Sequence, residues 1–154
     1  MSTYEVSRST SIRANPAVVR ALVDDFHQWT QWSPWEDLDP DLQRSYSGPE
    51  SGVGSRYAWK GNRKAGEGSM EITGSAPDGI DVDLRFLKPF SNVSRVRLAL
   101  KQSPTGTDVT WTMTGESPKG FAGLFTKVVP MDKLVGKDFE KGLARLKAVA
   151  EQTA

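Results

Sequence analysis

His27 is the sole histidine of a 154-residue chain that contains no cysteine, and these two counts bound the chemistry open to it. Asp24, Asp25, Gln28 and Thr30 surround it, which predicts an exposed helical face. A zinc or non-haem iron site needs three or four imidazole, thiolate or carboxylate ligands at suitable spacing; the sequence offers no such set, so no metal is expected. No Gly-x-Ser-x-Gly turn places a serine nucleophile beside a base. The glycines between Gly61 and Gly68 lie between predicted strands with no following helix, so no phosphate-bearing cofactor is expected either. What remains are a few polar side chains able to point into an interior: Arg8, Arg44, Tyr46, Tyr57 and Glu116. Arg8 shares a face with Val6 and Thr10. A buried guanidinium is costly unless it meets a carboxylate or a ligand's acidic group, and the alternative is a bulged or edge strand that turns it to water. Tyr57 acting with Arg8 would polarise a carbonyl, the assistance a cyclase or dehydratase requires.

Periodicity predicts the elements that must position these groups. Met131, Val135, Phe139, Leu143, Leu146 and Val149 recur at steps of three and four, one stripe of a long amphipathic helix over Met131 to Gln152. The segments before it alternate with a period of two. A first strand runs over Tyr4 to Ile12, a weaker one over Leu42 to Ser47, and others over Val53 to Lys60 and Glu67 to Thr73, then around Ile80 to Phe86, Arg95 to Lys101 and Val109 to Thr114. Gly61-Asn62, Pro77-Asp78-Gly79 and Pro104-Thr105-Gly106 separate them as hairpin turns. Asn15-Pro16 starts a short helix running to about Val23. Phe26, Trp29 and Trp32, three residues apart, predict a second that closes before Ser33-Pro34. These tryptophans either plug one end of the sheet or stack on a flat ligand; Trp35, in the following loop, is the best placed for the second role. The fold class is therefore α+β, a curved antiparallel sheet of about seven strands wrapped around a long C-terminal helix.

Lys and Arg total 20 against 19 Asp and Glu, spread along the chain, so no nucleic-acid partner is expected. The polar N-terminus and the short apolar runs predict no leader, no membrane insertion and a cytoplasmic location. One domain over residues 1–154 accommodates the whole chain.

Several motifs carry a resemblance: Trp32-Ser-Pro-Trp35, Gly52-Val-Gly54, Tyr57-Ala-Trp59-Lys-Gly61-Asn62, Gly66-Glu-Gly68-x-Met70, Phe86-Leu-Lys-Pro-Phe90, Thr110-Trp-Thr-Met113 and Gly136-Lys-Asp-Phe139-Glu-Lys-Gly142-Leu143. With the order of elements, the chain resembles the polyketide cyclase/dehydrase and lipid-transport branch of the START-like (SRPBCC, Bet v 1-like) superfamily. The resemblance implies a helix-grip fold with an elongated cavity between sheet and long helix. The inward strand faces would line it with Tyr57, Trp59, Met70, Ile72, Leu84 and Phe86, then Leu98, Trp111 and Met113. Trp35, Val135 and Phe139 would close it from the loop and helix, and Arg8 is a further candidate. An ordinary filled core accounts for the same residues. Gly68, Gly136 and Gly142 either make room for a cavity or permit close contact between helix and sheet. Between the last strand and the long helix, Phe121, Leu124 and Phe125 predict a short apolar segment that acts as a lid or a dimer contact. The expected function is binding of a small hydrophobic or amphipathic ligand by a monomer or homodimer, without cofactor. The alternatives are a metal-free polyketide cyclase or dehydratase, and a protein-interaction module like the related domains that activate a chaperone ATPase.

Overall fold

A computed structural model describes residues 3–35, 39–62, 65–88, 92–116 and 131–153. Strand β1 (Thr3–Ile12) leads into helix α1 (Pro16–Val23) and a 3-10 turn (Gln28–Gln31). Six strands follow: β2 (Gln43–Ser47), β3 (Arg56–Lys60), β4 (Glu67–Ala76), β5 (Gly79–Lys88), β6 (Asn92–Ser103) and β7 (Gly106–Glu116). The chain ends on α2 (Met131–Thr153). All seven strands form one antiparallel sheet in the order β1-β7-β6-β5-β4-β3-β2, a six-strand meander closed by the first strand. The expected lid residues Phe121, Leu124 and Phe125 lie outside the described residues. Among the described residues no helix is long and apolar enough to cross a membrane.

Local chemistry explains the helical segments. The Asn15 side chain accepts a hydrogen bond from the Ala17 N–H at 3.3 Å, and Pro16 occupies the first helical position. At the other end of α1, the indole N–H groups of Trp29 and Trp32 donate to the carbonyls of Val23 and Leu22, at 2.8 and 2.9 Å. The two tryptophans thus satisfy carbonyls that a helix end leaves unpaired. Their three-residue step matches the repeat of the 3-10 turn that carries them. Both are buried.

Strand β3 begins at Arg56, three residues later than the alternation from Val53 suggests. Gly52 and Gly54 adopt φ values of +77° and +93°, and the Gly54 N–H donates to Ile72 O, so the chain turns here before it pairs. Such positive φ is cheap only for glycine.

Helix α2 buries Phe139, Leu143, Leu146 and Ala150, with Val135 and Val149 half-buried beside them. Its C-terminal turns are tied to the end of β1. The Lys147 ammonium donates to Ser11 O at 2.7 Å and to the Glu151 carboxylate at 2.8 Å, while the Arg13 backbone N–H donates to the same carboxylate at 3.0 Å.

Candidate functional site

Strand register sorts the inward side chains into rows that cross the sheet. One row runs through every strand: Tyr46, Tyr57 and Met70 on β2 to β4, then Leu84, Ser94, Gly115 and Tyr4 on β5, β6, β7 and β1. The neighbouring row toward the β3–β4 hairpin holds Arg44, Trp59, Gly68 and Phe86. On its other side lie Ile72, Val82, Val96, Met113 and Val6, and beyond them Ile80, Leu98, Trp111 and Arg8.

This sorting divides the expected lining residues. Tyr57, Trp59, Met70, Leu84 and Phe86 come together on β3 to β5. Tyr46 packs on Tyr57 with ring centroids 5.2 Å apart, Tyr57 stacks on Trp59 at 6.0 Å, and Trp59 meets Phe86 edge-on at 5.9 Å. Tyr46, Trp59 and Phe86 are only half-buried. The Trp59 indole N–H donates to Ala65 O at 2.9 Å, which fixes the ring's orientation. Ile72 and Leu98 sit one and two rows deeper than Tyr57, fully covered, and Met113 shares the row of Ile72.

Trp111, Phe139 and Trp35 form a second group between sheet and helix. Trp111 lies parallel to Phe139, and Trp35 meets both edge-on at 5.6 and 6.1 Å. The Trp35 indole donates to the Asp138 carboxylate at 3.2 Å. Val135 is half-buried one turn before Phe139. The Trp111 indole N–H is buried without a hydrogen-bond partner among the described residues. Such a donor is costly to leave unmet, and a buried water or a ligand oxygen would satisfy it.

The three glycines that suggested room are occupied. A Cβ on Gly68 would come within 2.7 Å of the Trp59 ring, and one on Gly142 within 2.8 Å of Trp111 and 2.9 Å of Pro34. One on Gly136 would overlap the Arg8 guanidinium. Each glycine therefore permits close contact, and none of them carries the case for a cavity.

Arg8 stays on the inward face and turns to neither of its expected extremes. Its Nε donates to the Glu140 carboxylate of α2 at 3.4 Å, and its Nη1 to Ser7 O at 2.8 Å, with about a quarter of the side chain exposed (27%). Arg8 lies on β1 and Tyr57 on β3, near opposite ends of the strand order. His27 is exposed, as expected, but caps the 3-10 turn rather than lying on a helical face. It stacks on Tyr46 at 4.0 Å, and its Nδ1–H donates to the Asp25 carboxylate at 2.8 Å. Among the described residues no group of three His, Asp or Glu side chains converges to hold a metal. Among the described residues two carboxyls are shifted, both at helix ends. Burial pushes Asp24 up despite the nearby Arg20 charge, and the Arg13 N–H and Lys147 hold Glu151 below the usual carboxylate range.

One polar feature escaped the sequence reading. The Tyr4 and Ser94 hydroxyls share a hydrogen bond across Gly115. A Cβ on Gly115 would stand 2.8 Å from the Tyr4 oxygen and 3.1 Å from the Ser94 oxygen, so glycine opens the path between them. The signal was present in the alternation, where Tyr4 precedes Val6, Ser94 precedes Val96 and Gly115 follows Met113 by two residues each.

Among solved structures, the KanY protein superposes with a TM-score of 0.69 at 19% identity, covering 98% of this chain and 99% of that one. Ara h 8.0201 gives 0.66 at 14% identity, with 97% and 98% covered. The Aha1 dimer from Colwellia psychrerythraea gives 0.63 at 16%, with 96% of each covered. At these identities the likeness establishes the fold. No curated protein matches the sequence significantly. The sequence does match one family over residues 3–151, nearly its whole length, and the seven-stranded sheet gripping α2 is the Bet v 1-like arrangement. The chain belongs to the polyketide cyclase / dehydrase and lipid transport family.

Proposed function

We propose that the chain binds a small hydrophobic or amphipathic molecule, with the aromatic side chains of β2 to β5 as its seat. The contrast between two aromatic groups carries this reading. Trp29, Trp32 and Trp111 are enclosed by one another and by Phe139. Trp59 and Phe86 instead stay half-buried on the inward face and meet each other edge-on, while Tyr46 beside them is half-buried under the stacked His27 ring. Membership of a family that includes lipid transport supports it. Among the described residues the strands themselves send no carboxylate or imidazole from the inward face, and the His27 imidazole, bonded to Asp25, stacks on Tyr46 at the edge of the seat.

Native mass spectrometry of the purified protein beside its denatured mass tests the reading, together with titration by a hydrophobic fluorescent dye. A retained small molecule, or saturable one-site dye binding that quenches tryptophan emission, is the expected result. Trp59→Leu should weaken the dye by about two- to tenfold, the worth of one aromatic contact. A protein that retains nothing and offers no saturable site would refute the proposal.

A further inference from the structure

We infer that His27, held by Asp25, is a general base for the hydrolysis of aromatic esters at the edge of the aromatic seat. The inference rests on the binding function proposed above and adds an activity to it. It begins from a tautomer. A carboxylate only accepts, so the 2.8 Å bond between Asp25 Oδ1 and His27 Nδ1 puts the ring proton on Nδ1. The His27 backbone N–H donates to the same oxygen at 2.9 Å. Asp25 is largely buried, with 14% of its side chain exposed, and through one oxygen it fixes both the tautomer and the orientation of the ring. Nε2 keeps its lone pair, and among the described residues it has no hydrogen-bond partner. An imidazole oriented by a carboxylate through its other nitrogen is the arrangement that proton transfer in acyl chemistry uses.

Position supplies the substrate and the nucleophile. The imidazole stacks on Tyr46 at 4.0 Å, Tyr46 packs on Tyr57 and Tyr57 on Trp59, so the base ends a row of rings that begins in the seat. An aromatic group lying along these rings carries its ester toward His27. Nearly half of the His27 side chain is exposed (47%), so water reaches the base. A carbanion formed there would be reprotonated by solvent, whereas hydrolysis consumes that water. The Thr30 hydroxyl donates to the His27 carbonyl at 2.9 Å, which leaves water as the nucleophile. Nε2 takes a proton from water as the water oxygen bonds to the ester carbonyl carbon. The tetrahedral adduct then collapses, its bond to the aryloxy oxygen breaks, and Nε2 returns the proton to that oxygen. A carboxylic acid and a phenol leave, and the imidazole ends as it began.

The test follows 2-naphthol release from 2-naphthyl acetate by fluorescence, over many turnovers so that acylation of lysines is not mistaken for catalysis. Wild type should exceed an equal concentration of free imidazole by about a hundredfold, the lower end of what a positioned base contributes. His27→Gln should remove that excess with KM unchanged, and added imidazole should restore part of it. In Asp25→Asn the side-chain amide donates to Nδ1 and moves the ring proton to Nε2, so kcat should fall by about tenfold or more at the same KM. Binding of the hydrophobic dye confirms that each variant is folded. A wild type that binds the dye yet hydrolyses no faster than free imidazole, or a His27→Gln variant that keeps the rate, would overturn the activity and leave the binding site standing. An Asp25→Asn variant as fast as wild type would overturn the positioning role of Asp25. If wild type neither binds the dye nor turns over the ester, the activity and the binding function both fail.

Discussion

Trp111 on β7 and Phe139 on α2 lie face to face, their ring centroids 4.1 Å apart and their planes within 5°. This stack joins the sheet to the helix that it grips. Trp32 and Trp35 press edge-on against the same indole, so Trp111 is held from several sides at once. Gly142, three residues beyond Phe139, lets the edge of that indole approach the helix backbone. The consequence is a junction with little freedom to adjust.

Gly142→Ala and Gly136→Ala should therefore change stability in opposite directions, although both replace a helix glycine by the best helix former. Ala is intrinsically favoured by about 1 kcal/mol in each case. At Gly142 the new methyl meets the Trp111 ring and the Pro34 ring, both enclosed, and overpacking of about 1–3 kcal/mol should outweigh the gain. At Gly136 the nearest atoms are the end of the flexible Arg8 side chain, which can shift, and its partly exposed bonds to Glu140 and to Ser7 O are worth less than the packing at Gly142. Chemical denaturation decides it: a stabilised Gly142→Ala would mean that empty space, not packing, surrounds that position.

The same two glycines show where a one-dimensional reading stops. The strands, their order along the chain, the start of α1 and the buried stripe of α2 all follow from repeats of two and of three to four residues, because those repeats decide which side chains leave water. A glycine on an inward face announces space without saying what fills it. Trp59, Trp111 and the Arg8 guanidinium arrive over Gly68, Gly142 and Gly136 from other elements, and their positions depend on register across the sheet and the placement of the helix. Tyr4 and Ser94 were hidden for the same reason. They are 90 residues apart and meet only because β1 and β6 both flank β7. The later start of β3 is local, but it turns on backbone angles at Gly52 and Gly54 that alternation does not register.

Acid should loosen the C-terminal end of α2 through Glu151. The Arg13 backbone N–H and the Lys147 ammonium both favour the ionised carboxylate, so its folded pKa lies below the ordinary value of 4.5. A depressed folded pKa contributes stability that is fully present above the unfolded value and is lost as pH falls through the folded one. Glu151→Gln should accordingly be less stable than wild type at neutral pH. The difference should shrink below about pH 4.5 and vanish once both forms are uncharged. Thermal melts of the two proteins from pH 7 downward provide the comparison, and a gap that stays constant with pH would show that charge has no part in the clasp.

The hydrogen bond from the Trp35 indole to Asp138 should decide how firmly the loop after the 3-10 turn is held against α2. Trp35 also touches Trp111 and Phe139, but edge-on and half-exposed, so those contacts alone hold it less tightly than they hold a buried ring. Hydrogen bonds to a carboxylate exceed those to a neutral oxygen in strength. Asp138→Ala should therefore cost about 1–2 kcal/mol in stability and make tryptophan emission more accessible to acrylamide. The second effect must come from Trp35 itself. In a Trp35→Phe background, Asp138→Ala should leave the quenching constant unchanged, because the indole that gained access is gone. An equal rise in both backgrounds would mean that Asp138 supports the wider aromatic cluster rather than this one ring.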